Sequence, residues 1–348
     1  MALPHNTLPV VHSVHSPDPG DAVAFWVTGR ARGELRPERL PEPGARDVRV
    51  RTLFTGISRG TEGLVLRGDV PQSEWQRMRA PFQAGEFPFP VKYGYLNVGF
   101  VEHGPENLLG RTVFTLYPHQ SAFVVPVDAV TLVPDSVPPR RAALAGAVET
   151  AVNVLWDASP LLGDRVAVIG AGMIGGAIAR LAGGVPGVEV TLVDVDPLKA
   201  GMAARLGVNF ALAEAPGTDY DIIVEASGSQ DGLATALRSV ATDGDVVVAS
   251  WFGARPVRLE LGADFHSRRL SIRSSQVGAV AAARRDRRTP RERLALALRL
   301  LDDPAFDALL GDDSPWTGLP SIMADLAAGQ ISTNENGALC HTIDWSAS

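Results

Sequence analysis

Asp164-Arg-Val-Ala-Val-Ile-Gly170-Ala-Gly172-Met173-Ile174-Gly175 is followed by an alanine-rich run and then by Val188-Glu-Val-Thr-Leu-Val-Asp194. The order is apolar strand, Gly-x-Gly-x-x-Gly turn, small-residue helix, second apolar strand and terminal acid. A glycine triplet alone carries little weight, but each flanking element here stands in the order that a dinucleotide-binding βαβ unit needs. Gly170 permits the tight turn, Gly172 lets the backbone approach a pyrophosphate, and Gly175 lets helix and strand pack closely. Met173 and Ile174 open the helix, whose free N–H groups and partial positive charge suit phosphate. Asp194 lies 19 residues beyond Gly175, where a carboxylate accepts from ribose hydroxyls and repels a 2′-phosphate. The expected cofactor is NAD rather than NADP.

The strand–helix alternation continues outward from this unit. Strands are expected at 165–169, 188–193, 208–212, 221–226, 245–250 and 270–274, with helices at 173–181, 197–206 and 230–240. Thr242-Asp243-Gly244 reads as a turn ahead of the fifth strand. Six strands in two halves predict a doubly wound parallel sheet. Residues before 145 differ: short apolar runs at 48–52, 98–101, 111–115 and 122–126 are separated by Pro and Gly, with little helical periodicity. After residue 290 come a helix at 291–301, proline-bounded segments at 304–315 and 315–328, and a strand-like end at 338–345. A β-rich domain split by an inserted nucleotide fold accounts for the layout, with 1–148 and 282–348 forming one domain and 149–281 the other.

Bulk properties narrow the function classes. The 348 residues suit about two domains. A net charge of −7 argues against a general nucleic-acid or anionic-membrane binder. No apolar run approaches the roughly 20 residues that span a bilayer. Met1–Val14 lacks the basic start and apolar core of a secretory signal, so a cytoplasmic protein is expected. Cys340 is the single cysteine. It excludes an intramolecular disulfide or a multi-thiolate zinc site, and it reads as a buried small hydrophobe.

The β-rich beginning, the nucleotide fold and the short returning tail together resemble the medium-chain dehydrogenase/reductase superfamily. The resemblance implies an α/β fold with a Rossmann sheet inserted into a GroES-like catalytic domain. Zinc enzymes of this superfamily carry Gly-x-Cys followed by a hydroxyl residue and an acid, then Gly-His-Glu-x-x-Gly, then a third Cys or Glu ligand. The corresponding segments here are Gly56-Ile57-Ser58-Arg59-Gly60-Thr61-Glu62, Gly94-Tyr95-Leu96-Asn97-Val98-Gly99 and Ala147-Val148-Glu149-Thr150-Ala151. Ser58 stands where a thiolate belongs and Tyr95 where an imidazole belongs. Catalytic zinc wants three strong ligands, so no metal is expected. The wording of the first two segments resembles a zinc-less branch that includes bacteriochlorophyllide a dehydrogenase, which oxidises a secondary hydroxyethyl group with NAD.

What the resemblance implies is a zinc-independent oxidoreductase interconverting a secondary alcohol and a ketone on a small or ring-bearing metabolite. Two alternatives stay open: an NAD(P)H-dependent reductase of a conjugated C=C bond, and a catalytically silent NAD-binding sensor or scaffold. Without metal, hydrogen-bond donors must stabilise negative charge on the substrate oxygen. Tyr95, Ser58 and Thr61 are the candidates, since the matched positions converge over the nicotinamide in the superfamily. For Tyr95 the alternative is packing beside Tyr93, and for the hydroxyl pair it is closure of a local turn. His119 is either a general base or a loop-packing histidine. Glu149 is either an acid/base with a raised pKa or one end of a buried pair with an arginine. Glu62 reads as a local capping acid.

The same resemblance sets Arg59 against the pyrophosphate, unless it pairs with Glu62, and Asn153 against the nicotinamide. Ser227, Ser250, Trp251 and Ser275 lie at strand carboxyl ends, the ligand-binding edge of doubly wound sheets. Nine arginines fall between Arg268 and Arg293. They form either a solvated face or a basic rim attracting an anionic substrate. Phe82, Phe87, Phe89, Tyr93 and Tyr95 either wall a pocket for a ring-bearing substrate or pack in a loop. His5, His12 and His15 have no matched partners. A homodimer through the edge strand at 270–274 is expected from the superfamily.

Overall fold

Valine, isoleucine and leucine runs between Arg165 and Ser274 form six parallel strands in the computed structural model, which describes residues 21–262, 264–329 and 340–346. Their order across the sheet is Asn209–Leu212, Glu189–Asp194, Arg165–Ile169, Tyr220–Glu225, Val240–Val248 and Ser271–Ser274. Every pairing among them is parallel. The order reverses between Arg165–Ile169 and Tyr220–Glu225, which fixes a ligand crevice at the carboxyl ends of those two strands. Helices Met173–Gly183, Lys199–Leu206 and Gln230–Ser239 follow the expected spans closely. The fifth strand starts earlier than its apolar run, at Val240. Tyr220 pairs with Val240 and Ile222 with Asp245, so Thr242–Gly244 forms an irregularity inside the strand, with Asp243 at φ 64°.

The chain outside this unit builds two further sheets among the described residues. One has four strands and is centred on Asp21–Gly29. The other runs Leu310–Pro315, Cys340–Asp344, Asp47–Gly56, Asn97–His103, Thr112–Thr115 and Val130–Leu132, with Ala122–Pro126 also on Asp47–Gly56. The tail thus returns to the first lobe, pairing Ile343 with Thr55. Residues 338 and 339 of the expected terminal strand, and the three early histidines, lie outside the described residues.

One helix in the first lobe escapes its pattern. Arg59–Arg67 contains Gly60 and Gly63, which lower intrinsic helix propensity by about 1 kcal/mol each. Burial of Leu64, Val65 and Leu66 offsets that cost. What reads as a tight turn in sequence is therefore a turn leading into a helix.

Helix Ala145–Ala158 joins the lobes, and its buried Ala145, Ala147, Val148, Ala151 and Val154 belong to one core with Leu96, Val98 and Phe114 on one side and Val166, Val168 and Ile178 on the other. The expected domain boundary at 148/149 falls inside this helix. Among the described residues, no helix is long and apolar enough to cross a membrane.

Candidate functional site

The glycine-rich turn is built by close contact. A Cβ on Gly175 would sit 1.9 Å from the Gly170 carbonyl oxygen, and Gly170 holds φ 103° with its α-carbon pressed against Ser227. Gly172 is different, because a Cβ there would meet nothing within 4 Å. It faces open space at the start of helix Met173–Gly183 and caps it with no side chain, so the first N–H groups point outward unpaired by the helix. This is the cradle that a pyrophosphate requires.

A cleft of about 300 Å³ opens beside it. Gly172, Met173 and Ile174 form one wall; 226–228 and 249–251 form the sheet edge. Ser58, Arg59, Gly60 and Thr61, from the start of helix Arg59–Arg67, close it from the other lobe. The structure thus brings Arg59, Ser58, Thr61, Ser227, Ser250 and Trp251 to one cleft with the glycine turn. Glu62 Oε1 accepts from Ser58 N and its Oε2 lies 2.8 Å from His119 Nε2. Ser250 Oγ accepts from Gly228 N at 2.9 Å. Trp251 packs against the first lobe's apolar cluster, and Gly253 approaches Leu64 closely, so this loop bridges the lobes.

Asp194 ends its strand with both carboxylate oxygens fixed by backbone. Oδ2 accepts from Ala171 N at 2.7 Å, inside the glycine turn, and Oδ1 accepts from Asp196 N at 3.0 Å. Two functional candidates escaped the sequence reading here. Lys199 is 4% exposed, and burial pulls its ammonium down to about 8, with Asp194 and Asp196 opposing that shift and Arg59 adding to it. Its signal was periodic: it shares the buried helix face of Met202, Ala203 and Leu206. The other is Glu225, fully buried at the end of its strand, whose Oε1 accepts from Ser227 N, Ser227 Oγ and Gly228 N. An acid closing an apolar strand was the sign.

On the first-lobe side, the Tyr95 phenol lies 2.7 Å from Ser58 Oγ. Burial, and then the negative charge of Glu62, push that phenol up to about 12 against the lowering effect of the Ser58 and Thr61 hydroxyls. It keeps its proton across the physiological range. Tyr95 also meets Tyr93 edge-on at 6.1 Å, so packing and hydrogen bonding coexist.

Three expectations need correction. His119 does not face the cleft: it is 1% exposed, with Nδ1 2.7 Å from Thr55 Oγ1 and Nε2 2.8 Å from Glu62 Oε2. Both ring nitrogens are used inside the core, which removes a general-base role toward substrate. Glu149 turns away from Tyr95 and bonds Arg293 at 3.1 Å, both side chains being buried. Its carboxyl is raised by burial and pulled back by Arg293, so both features considered for it are present, in a structural pair. Asn153 joins the same knot: Oδ1 accepts from Arg293 Nη1 at 2.6 Å and from Ala281 N at 3.0 Å, while Nδ2 lies 3.4 Å from Ser275 Oγ. Asn153 and Ser275 therefore meet each other, outside the residues lining the cleft.

The arginine run and the aromatic stretch also divide. Arg268, Arg269 and Arg273 pair with Asp264, Asp243 and Asp245, Arg291 pairs with Asp128, and Arg293 is buried; 284, 285, 287 and 288 are exposed. No single basic rim forms. Phe87 and Tyr93 are buried in the first lobe's core rather than in a pocket wall, and Phe82 tilts against Tyr117 at 5.4 Å. Cys340 is fully buried, its thiol raised to about 12 by burial.

The positions matched to zinc ligands hold Ser58, Tyr95 and Glu149. The Tyr95 hydroxyl donates to Ser58 Oγ, and the helix residue beside Tyr95 is Gly146, where a Cβ would lie 3.9 Å from Tyr95 Cδ2. Glu149 lies one helical turn further and is held by Arg293. Among the described residues, no group of three His, Cys, Asp or Glu side chains is arranged to hold a metal.

No protein-family model matches the chain. D-guloside 3-dehydrogenase of Escherichia coli strain K12 is 27% identical over 255 residues, which is 64% of this chain and 71% of that protein. Galactitol-1-phosphate dehydrogenase from Escherichia coli is similar in structure, with a TM-score of 0.74 at 14% identity over 92% of this chain and 99% of its own. Acetophenone reductase from Geotrichum candidum, solved in complex with NAD, gives a TM-score of 0.73 at 18% identity over 96% and 100%. With its six-stranded doubly wound sheet joined to a β-rich GroES-like lobe, the chain has the medium-chain dehydrogenase fold.

Proposed function

We propose that this chain is an NAD(H)-dependent oxidoreductase that interconverts a secondary alcohol and a ketone without zinc. The observation that carries the reading is the Tyr95–Ser58–Thr61 hydroxyl cluster, whose Ser58 and Thr61 line the same cleft as an uncapped glycine-rich helix start, with Tyr95 bonded behind Ser58. Gly172, Met173 and Ile174 would hold the pyrophosphate by backbone N–H groups, with Arg59 opposite as a bidentate phosphate donor. Asp194 would accept from the ribose hydroxyls, and its charge disfavours a 2′-phosphate. When bound, the nicotinamide supplies the hydride chemistry.

The remaining chemistry falls to the chain's own hydroxyls. A ketone oxygen in the cleft needs a donor as negative charge builds on it, and one preorganised donor contributes about 2.7–4 kcal/mol. Ser58 presents that donor to the cleft, and Tyr95, whose raised pKa keeps the phenol protonated, stands behind it as the proton source. Ser58 Oγ at 2.7 Å, with Thr61 beside it, carries the proton between the phenol and the cleft. Dehydrogenase relatives and the similarity to an NAD-bound ketone reductase support this reading, as does the resemblance of Gly56–Glu62 and Gly94–Gly99 to the zinc-less branch. The edge strand Ser271–Ser274, whose outer side is unpaired in the sheet, is the proposed homodimer contact.

Absorbance at the NADH band, with a panel of secondary alcohols, ketones and conjugated enones, tests the assignment. Turnover of alcohols or ketones supports it. Turnover of enones alone makes the chain a C=C reductase, and calorimetric NAD binding with no turnover at all makes it a sensor or scaffold.

A further inference from the structure

Serine is a favoured residue at a helix N-cap because its hydroxyl accepts from the second or third N–H of the helix. Ser58 occupies that position on helix Arg59–Arg67, yet its side chain makes no capping bond. Its hydroxyl meets Tyr95 instead. The backbone of Ser58 itself is held by Glu62, whose Oε1 accepts from Ser58 N at 2.8 Å.

Glu62 is itself held. It is 2% exposed, and its Oε2 lies 2.8 Å from His119 Nε2. The Glu62 carboxylate oxygen only accepts, so Nε2 carries a proton. Trp345 Nε1–H donates to Thr55 Oγ1 at 2.9 Å, and with the ring neutral the Thr55 hydroxyl donates to His119 Nδ1 at 2.7 Å. Nδ1 accepts, so Nε2–H donates to Glu62. The chain Trp345, Thr55, His119, Glu62 and Ser58 draws on four separate segments and leaves each of these buried polar atoms paired. Burying a carboxylate and an imidazole costs several kcal/mol, more than a serine cap would need. What the arrangement gains is a Ser58 backbone fixed in place beside the Tyr95 phenol.

We infer that Glu62 and His119 are positioning residues of the site: Glu62, held by His119, fixes the backbone of Ser58 so that the Ser58 hydroxyl stays on the Tyr95 phenol. The inference rests on the alcohol–ketone reading, and it assigns neither residue to contact with substrate. A glutamine at 119 has an amide N–H for Glu62 and a carbonyl for Thr55, whereas leucine has neither. Glu62→Gln presents an amide N–H to His119 Nε2–H and forces the other tautomer.

The test compares full-length wild type, His119→Gln, His119→Leu and Glu62→Gln for kcat, KM, calorimetric NAD affinity and melting temperature. Ring-nitrogen NMR of ¹⁵N-histidine-labelled wild type reads the tautomer. Expected are a proton on Nε2 alone, a kcat loss of about 10–100-fold in His119→Leu and Glu62→Gln with NAD affinity kept, and turnover close to wild type in His119→Gln. If His119→Leu fails to fold, the Glu62→Gln and NMR arms still decide. A proton on Nδ1, equal losses in kcat and NAD affinity, or an unaffected kcat in Glu62→Gln overturns the inference. Wild-type inactivity across the whole panel overturns the underlying reading instead, which separates the two failures.

Discussion

Replacing Arg293 with methionine probes the knot that fastens the lobes. Arg293 is 2% exposed, and its guanidinium bonds Glu149 at 3.1 Å, Asn153 at 2.6 Å, the Ala279 carbonyl at 3.2 Å and the Val277 carbonyl. Helix Ala145–Ala158, helix Pro290–Leu300 and segment 275–281 all converge on this one side chain. Methionine fills much of the volume but leaves Glu149 buried without its counter-charge. Breaking such a pair from one side costs about 3–5 kcal/mol. For a chain of this size about 2 °C per kcal/mol follows, hence a fall of about 6–10 °C in melting temperature. Adding Glu149→Leu recovers part of the loss, because an apolar pair replaces the ionic one, while the two carbonyls stay without their donor.

The pH dependence gives the sharper test. Burial holds the Glu149 carboxyl above its ordinary range, and Arg293 opposes that shift. Without Arg293 the folded-state pKa rises further. A carboxyl raised in the folded state contributes stability that is fully present below the unfolded pKa and is lost as pH rises through the folded pKa. The deficit of Arg293→Met against wild type is therefore largest at neutral and alkaline pH and shrinks on acidification. Equilibrium urea denaturation of both proteins at about pH 8 and about pH 5 measures it. A deficit equal at both values, or larger in acid, refutes the reasoning.

Three further outcomes are expected. Asp194→Ala weakens NAD by about 10–150-fold, the worth of charge-assisted hydrogen bonds of 1.5–3 kcal/mol, and narrows the preference over NADP; calorimetry with both cofactors checks it. Tyr95→Phe lowers kcat by about 10²–10³-fold with NAD affinity unchanged, read by steady-state kinetics beside calorimetry. Purified protein carries well under one zinc per chain by elemental analysis and keeps its turnover in chelator, and one tightly held zinc per chain would sink the metal-free mechanism.

The features legible in sequence are those that backbone geometry writes into residue type. Gly170 and Gly175 are glycine because a side chain would strike Ser227 or the Gly170 carbonyl. The strands show as apolar runs because both faces of a parallel sheet are buried. Pairs made by the tertiary fold carry no such local mark. Glu149 and Arg293 are 144 residues apart, and His119 and Glu62 are 57 apart. Position in sequence suggests an exposed, reactive His119, while the fold turns it inward onto Thr55. The arginine run misleads for a related reason, since its members reach partners on several elements. Lys199 was within reach, its periodicity setting a charge on a buried face.

The polarity of the hydroxyl cluster bears on direction. Zinc would favour the ionised alcohol, whereas the phenol of Tyr95, lifted to about 12, is a donor at neutral pH and scarcely a base. Cys340 is likewise lifted to about 12 and buried, and Glu62 spends both oxygens on N–H donors. Ketone reduction needs a proton donor, which is present at every physiological pH. On the proposed relay, alcohol oxidation needs the same phenol ionised, a fraction that grows about tenfold per pH unit below the pKa. The kcat/KM for oxidation should therefore climb with a slope near one from about pH 7 to about pH 10, while that for reduction stays level over the same range. A plateau in the oxidative profile near neutrality would mean that a group titrating there takes the proton, and Tyr95 would be returned to packing.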